Sequence, residues 1–110
     1  MPCWSPARSA GEMVVTAYVL IIRNKTTDPA GLARYAALAR NAPNDKLEIL
    51  ASKTCKFQVL EGDAAEAVVL LRFPAMSDAL DWYNSDAYQQ ALPHRLASGD
   101  FRMYVVEGVN

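Results

Sequence analysis

The chain has 110 residues, 52% of them hydrophobic and 21% charged, with 11 Lys and Arg against 12 Asp and Glu. That size and balance predict one domain with one apolar core, and they exclude the charge-rich, core-poor composition of a disordered chain. Lys and Arg form no cluster that would track a nucleic-acid backbone, and Cys3 and Cys55, far apart and in no ligand spacing, point to a reduced cytoplasmic protein.

Residues 1–12 carry Pro2, Pro6 and Gly11 without periodicity and are expected to be an extension ahead of a single domain over 13–110. The apolar run from Met13 to Ile22, with Arg8 before it, imitates a signal peptide. Yet Arg23-Asn24-Lys25 stands where a small-residue cleavage site belongs, and the run falls short of the about 20 residues that span a bilayer. No membrane is expected as a partner. From Val14 to Ile22 only Thr16 is not hydrophobic, the pattern of a strand buried on both faces.

Asp28 as a cap and Pro29 at the first helical position predict a helix over 29–40, with Leu32, Tyr35, Ala36 and Ala39 inward and Arg34 and Arg40 facing elsewhere. Between Leu47 and Leu60 the apolar Leu47, Ile49, Ala51, Cys55, Phe57 and Val59 alternate with polar residues. That pattern predicts a long strand with one wet face and a bend or bulge near Lys53-Thr54. Glu61-Gly62-Asp63 has turn chemistry, which also accounts for the acids Glu61, Asp63 and Glu66 without a metal, and leads into an apolar strand over 67–73.

Pro74 ends that strand and Ser77 is the expected cap of a second helix, with Leu80, Tyr83, Ala87, Tyr88 and Ala91 or Leu92 as its buried stripe. Asn84-Ser85-Asp86 marks a kink or a second cap, and Pro93 is expected to begin a last turn closed by Gly99. Phe101, Met103 and Val105 then alternate with Arg102 and Tyr104 in a final strand.

The order is βαββαβ. Right-handed crossovers put the strands in the spatial order four, one, three, two. The expected fold is α+β and ferredoxin-like, a four-stranded antiparallel sheet with two helices on one face. The strands that read as apolar on both faces are the two central ones, so the face without helices would stand in water. A homodimer packed sheet to sheet is the simplest closed solution.

Tyr18-Val19, Asp28-Pro29 with Tyr35, Val59-Leu60-Glu61-Gly62-Asp63, Phe73-Pro74, Trp82-Tyr83-Asn84-Ser85, Tyr88-Gln89 with Ala91, Arg95 and Val105-Val106-Glu107-Gly108 occur in the order and spacing of a known group. The chain resembles the domain of unknown function 1330 family, within the dimeric α+β barrel superfamily. The resemblance implies a ferredoxin-like protomer and a face-to-face dimer, and no established activity. It departs in the second strand, where Asn44-Asp45-Lys46-Leu47 and Lys53-Thr54-Cys55 stand in place of the family's glycine pair and Arg-Gly-Gly-like segment. Lys53 then offers charge without arginine's bidentate fork.

His94 is the only histidine and the first candidate for a general base near neutral pH. No Ser, Cys or carboxylate is spaced to form a triad with it, which favours a lone surface histidine instead. Tyr35, Trp82, Tyr83, Tyr88 and Arg95 are the candidate ligand-binding set, aromatic walls with one cation for a small carboxylate or phenolic molecule. The same aromatics at helical spacing also suit plain sheet packing, and Arg95 alternatively pairs with Asp86 or another acid.

Two functions follow. One is cofactor-independent chemistry on a small organic acid or phenol, with Tyr35 or His94 moving the proton and Arg95 neutralising charge. The other is a non-catalytic dimeric module that binds a metabolite or a protein. Neither calls for a cofactor or a metal.

Overall fold

A computed structural model of the chain describes residues 15–109. The expected extension over 1–12 lies outside them. β1 (Ala17–Thr26), β2 (Glu48–Ala51), β3 (Ala67–Phe73) and β4 (Gly99–Glu107) form one antiparallel sheet in the order β2-β3-β1-β4. This is the order that right-handed crossovers require. The helices α1 (Pro29–Ala39), α2 (Met76–Asn84) and α3 (Asp86–Ser98) complete an α+β, ferredoxin-like fold.

Strand parity decides which side chains the helices cover. Ala17 and Val19 of β1 and Ala67, Leu71 and Phe73 of β3 are buried, and Ile21, Val69, Met103 and Val105 pack around them against Ala79, Trp82 and Tyr88 of the helices. The even-numbered side chains of β1 point to the opposite face. In the register of the sheet, Leu20 lies between Leu70 and Tyr104, and Ile22 between Val68 and Arg102. Tyr104 and Val106 on that face are about half exposed.

β1 continues past the expected end at Ile22 through Arg23, Asn24 and Lys25 to Thr26. Pairing with β3 as far as Arg23 and with β4 as far as Thr26 extends it beyond its apolar run, with a bulge between Arg23 and Lys25. Gly99 closes the last turn of α3 as its C-cap and also begins β4, and a Cβ there would strike the Lys25 carbonyl at that bulge.

The long strand expected over 47–60 is shorter, since only Glu48–Ala51 pairs with β3. The break falls where Lys53-Thr54 suggested, in a turn closed by the Cys55 N–H donating to the Ser52 carbonyl at 3.0 Å. Residues 56–60 are outside any strand, leaving Phe57, Val59 and Leu60 exposed. Alternation there marks a strand-like segment that lacks a pairing partner in its own chain.

The second helix is divided. Ser85 has extended backbone geometry, its hydroxyl accepting from the Tyr88 N–H at 3.2 Å and donating to the Trp82 carbonyl at 2.8 Å, so it ends α2 and caps α3. Ala75, not Ser77, occupies the N-cap of α2. The buried face of α2 is Ala79 and Trp82, while Leu80 is 41% exposed. Pro93 lies inside α3 on its exposed side instead of opening a new turn. Asp28 is the N-cap of α1 by position, but its carboxylate makes no capping bond.

Candidate functional site

Between α1, α3 and the covered face of the sheet lies a cavity of about 250 Å³. Leu32, Tyr35 and Ala36 of α1 form its roof, Ile21, Val69 and Leu71 of the sheet its floor, and Trp82 of α2 closes one side. Arg95 enters from α3, Phe101 and Arg23 line the far end, and Lys53 reaches the rim from the turn after β2. The size falls just below the range of drug-sized ligand sites and suits a small molecule.

Arg95 is 4% exposed. Its guanidinium carbon stands 5.7 Å from the Tyr35 ring centre and 5.3 Å from that of Phe101. One Nη lies 3.6 Å from Met103 Sδ, and Nε has no hydrogen-bond partner. No acid among the described residues forms an ion pair with it, so neither Asp86 nor another carboxylate plays that part. Two cation–π contacts are worth roughly 0.5–2 kcal/mol each, less than the several kcal/mol that a buried ion costs without a counter-charge. The guanidinium is therefore only partly compensated by the protein.

Tyr35 and Tyr88 join through their hydroxyls at 2.8 Å, with their rings nearly perpendicular. The Tyr88 hydroxyl points on to Met103 Sδ at 3.8 Å, which leaves Tyr35 to donate to Tyr88. Burial, reinforced by Tyr35, pushes the Tyr88 hydroxyl well above the ordinary tyrosine range, against a smaller pull from Arg95. Tyr88 stays protonated and acts as a prop for Tyr35.

Of the residues singled out from sequence, Tyr35, Trp82 and Arg95 share this cavity. Tyr88 is fully buried behind it, its ring 4.5 Å from that of Trp82 and 5.2 Å from that of Tyr83. Tyr83 lines a neighbouring cavity of about 200 Å³ between α2 and β4, with Trp82 as the wall between the two. His94 is not among the residues lining either cavity, since adjacent helix positions diverge by about 100° and Arg95 takes the inward one.

Sequence reasoning missed Arg23 and Phe101 as site residues, whereas Lys53, which lines the cavity, is the charge it offers in place of the family's arginine. Arg23 had a readable signal: it is a charge at the inward parity of Val19 and Ile21. No histidine or carboxylate is among the cavity's lining residues, and no group of three metal-ligating side chains gathers among the described residues. No helix of the described residues is long and apolar enough to cross a membrane.

The model of the family described as "Domain of unknown function (DUF1330)" matches residues 16–109. The chain belongs to that family. No curated protein matches it.

Among solved structures, a protein of unknown function from Rhodopseudomonas palustris is similar at 16% identity and a TM-score of 0.62, over 87% of this chain and 84% of that one. Its methylated form is similar at 15% identity and a TM-score of 0.63, over 88% and 83%. A candidate antibiotic biosynthesis monooxygenase from Caulobacter crescentus follows at 16% identity and a TM-score of 0.48, over 89% and 92%. At these identities the first two are likenesses of fold alone, and the third adds nothing to them.

Proposed function

We propose that this family member binds a small organic acid or phenolic compound between α1 and the sheet, with its negative group on Arg95 and its apolar body against Trp82 and Leu71. The observation that carries this reading is a guanidinium 4% exposed, aimed into a cavity and without a carboxylate partner. A bound anion supplies the missing counter-charge. Tyr35, which donates its proton to Tyr88, keeps its oxygen free to accept from a ligand hydroxyl.

Binding is the better supported of the two functions, because the lining residues include no side chain with a proton acceptor near neutral pH. Cofactor-independent chemistry would have to run through Tyr35.

Benzoate and aliphatic carboxylates should raise the Tm of the wild type, since a ligand that binds only the folded state stabilises it. Arg95→Gln should abolish the rise. Tyr35→Phe should keep binding and separate a binder from an enzyme: loss of a detected turnover with affinity retained marks catalysis. A carboxylate-induced Tm shift of equal size in wild type and Arg95→Gln removes this reading.

We further propose that two copies pair through the sheet face that carries Leu20, Ile22, Val68, Leu70 and Tyr104. Its support is an apolar face with no helix of its own chain over it.

A further inference from the structure

Among the described residues, the buried side-chain nitrogens without a hydrogen bond are Arg23 Nε and Arg95 Nε, and both residues line the same cavity. Buried polar groups are nearly always satisfied, so two orphans converging on one space need a common explanation. They lie close together. Arg23 and Phe101 are register partners on adjacent strands, which puts their side chains side by side, and the Arg95 guanidinium stands over the Phe101 ring. Lys53 adds a third cation at the rim.

Only one described acid pairs with any of the three. Glu66 Oε1 lies 3.4 Å from Arg23 Nε, too poorly aligned for a hydrogen bond. Its strong bond is elsewhere, accepted from the Thr26 hydroxyl at 2.7 Å. Three cations against one carboxylate leave an excess of two positive charges at the end of the cavity opposite Trp82.

We propose that the ligand's head group is a dianion, a phosphoryl group or a pair of adjacent carboxylates, held between the guanidinium groups of Arg23 and Arg95. This rests on the organic-acid reading above and sharpens it. A monocarboxylate satisfies the fork of one arginine, whereas a phosphoryl group has three equivalent oxygens and about −1.5 to −2 charge at pH 7, enough for both. The apolar body points the other way, toward Trp82 and Leu71.

Phenyl phosphate and benzoate share a ring and differ in the charge of the head, so titration calorimetry of the full chain with each tests the proposal. Phenyl phosphate should bind about tenfold more tightly, the scale of one added charge-assisted contact, with a steeper loss of affinity in salt. Arg23→Gln should remove that advantage and leave benzoate within about twofold of wild type, because a single carboxylate is held by the fork of Arg95. Arg23→Lys, which keeps the charge and loses the fork, should fall between.

Equal affinity for the two probes in the wild type, or an advantage that survives Arg23→Gln, overturns the dianion proposal and leaves the organic-acid reading standing. Failure of both probes to bind overturns both readings. Unchanged circular dichroism and Tm without ligand show that the Arg23 variants are folded.

Discussion

Arg95 and Arg23 differ in how the chain holds them. Arg95 is gripped between two aromatic faces and a thioether, contacts that fix its direction without neutralising it. Arg23 has a carboxylate beside it, on the exposed residue Glu66. The Thr26 hydroxyl, more than Arg23, holds the Glu66 carboxyl below the ordinary glutamate range. Its bond from Thr26 therefore favours the charged carboxylate and weakens as pH falls through the lowered value.

Cys55, exposed on the turn after β2, has its own signature. Its sulfur accepts from the Ser52 N–H at 3.3 Å and lies 3.6 Å from the Ser52 hydroxyl, and these bonds, the backbone one first, hold the thiol below the usual cysteine range. In a Cys3→Ser background, the pH midpoint for alkylation of Cys55 by iodoacetamide should lie below the about 8.5 of a free cysteine. Ser52→Ala should return it only part of the way, because the backbone donor remains. A wild-type midpoint at or above the free value contradicts the hydrogen-bonded turn. Nothing around Cys55 in sequence announced this, since the geometry comes from a turn whose place was legible but whose bonds were not.

At the scale of elements, α1 and α3, which both line the cavity, pack against each other with one especially close point. The close point is Gly31, where a Cβ would strike the Ser98 hydroxyl and come within 2.8 Å of an Asp28 carboxylate oxygen. Ser98 is itself fully buried, donating to the His94 carbonyl. Gly31→Ala should destabilise the fold by about 1–3 kcal/mol as an overpacking change, lowering Tm by roughly 4 °C or more. Adding Ser98→Ala should recover part of the loss, and thermal unfolding of the single and double variants reads both. A Gly31→Ala variant as stable as wild type means the helices are not in contact there.

Element identities were largely legible: Pro29 starts α1, β3 runs over 67–73 as expected, and Phe101, Met103 and Val105 alternate inward. Boundaries failed where a hydrogen-bond partner decided them. Helix periodicity carried across 77–92 because the pattern records which side is buried, and the break at Ser85 depends on a backbone angle that the pattern does not encode. Leu80 was misplaced and Trp82 was the true inward residue for the same reason: the division resets the phase of the second helix.

For the whole molecule, the dimensions of 47 × 35 × 19 Å and a radius of gyration of 15.3 Å exceed the about 13 Å of a compact domain of this size. Residues 57–63 lie alongside Ile22, Val68 and Arg102 at one end of the face that no helix covers. If two copies pair on that face, sedimentation equilibrium should give a dimer. Leu20→Asp, which sets a charge amid Leu70 and Tyr104, should shift the equilibrium to monomer by tenfold or more in Kd, and the wild-type Tm should rise with protein concentration. A wild type that sediments as a monomer at high concentration ends the dimer proposal.

The sequence by itself determined the element order, the strand order and the apolar character of both sheet faces, because hydrophobic periodicity and crossover handedness are local or topological properties. It also contained Tyr35, Trp82 and Arg95 as an aromatic set with a cation. Only the tertiary structure decided that these three share a cavity, that His94 turns away from it, and that Arg23 joins from a strand 72 positions earlier than Arg95. Convergence of side chains from separate elements depends on register and helix phase, and small errors in either rotate a residue out of the site.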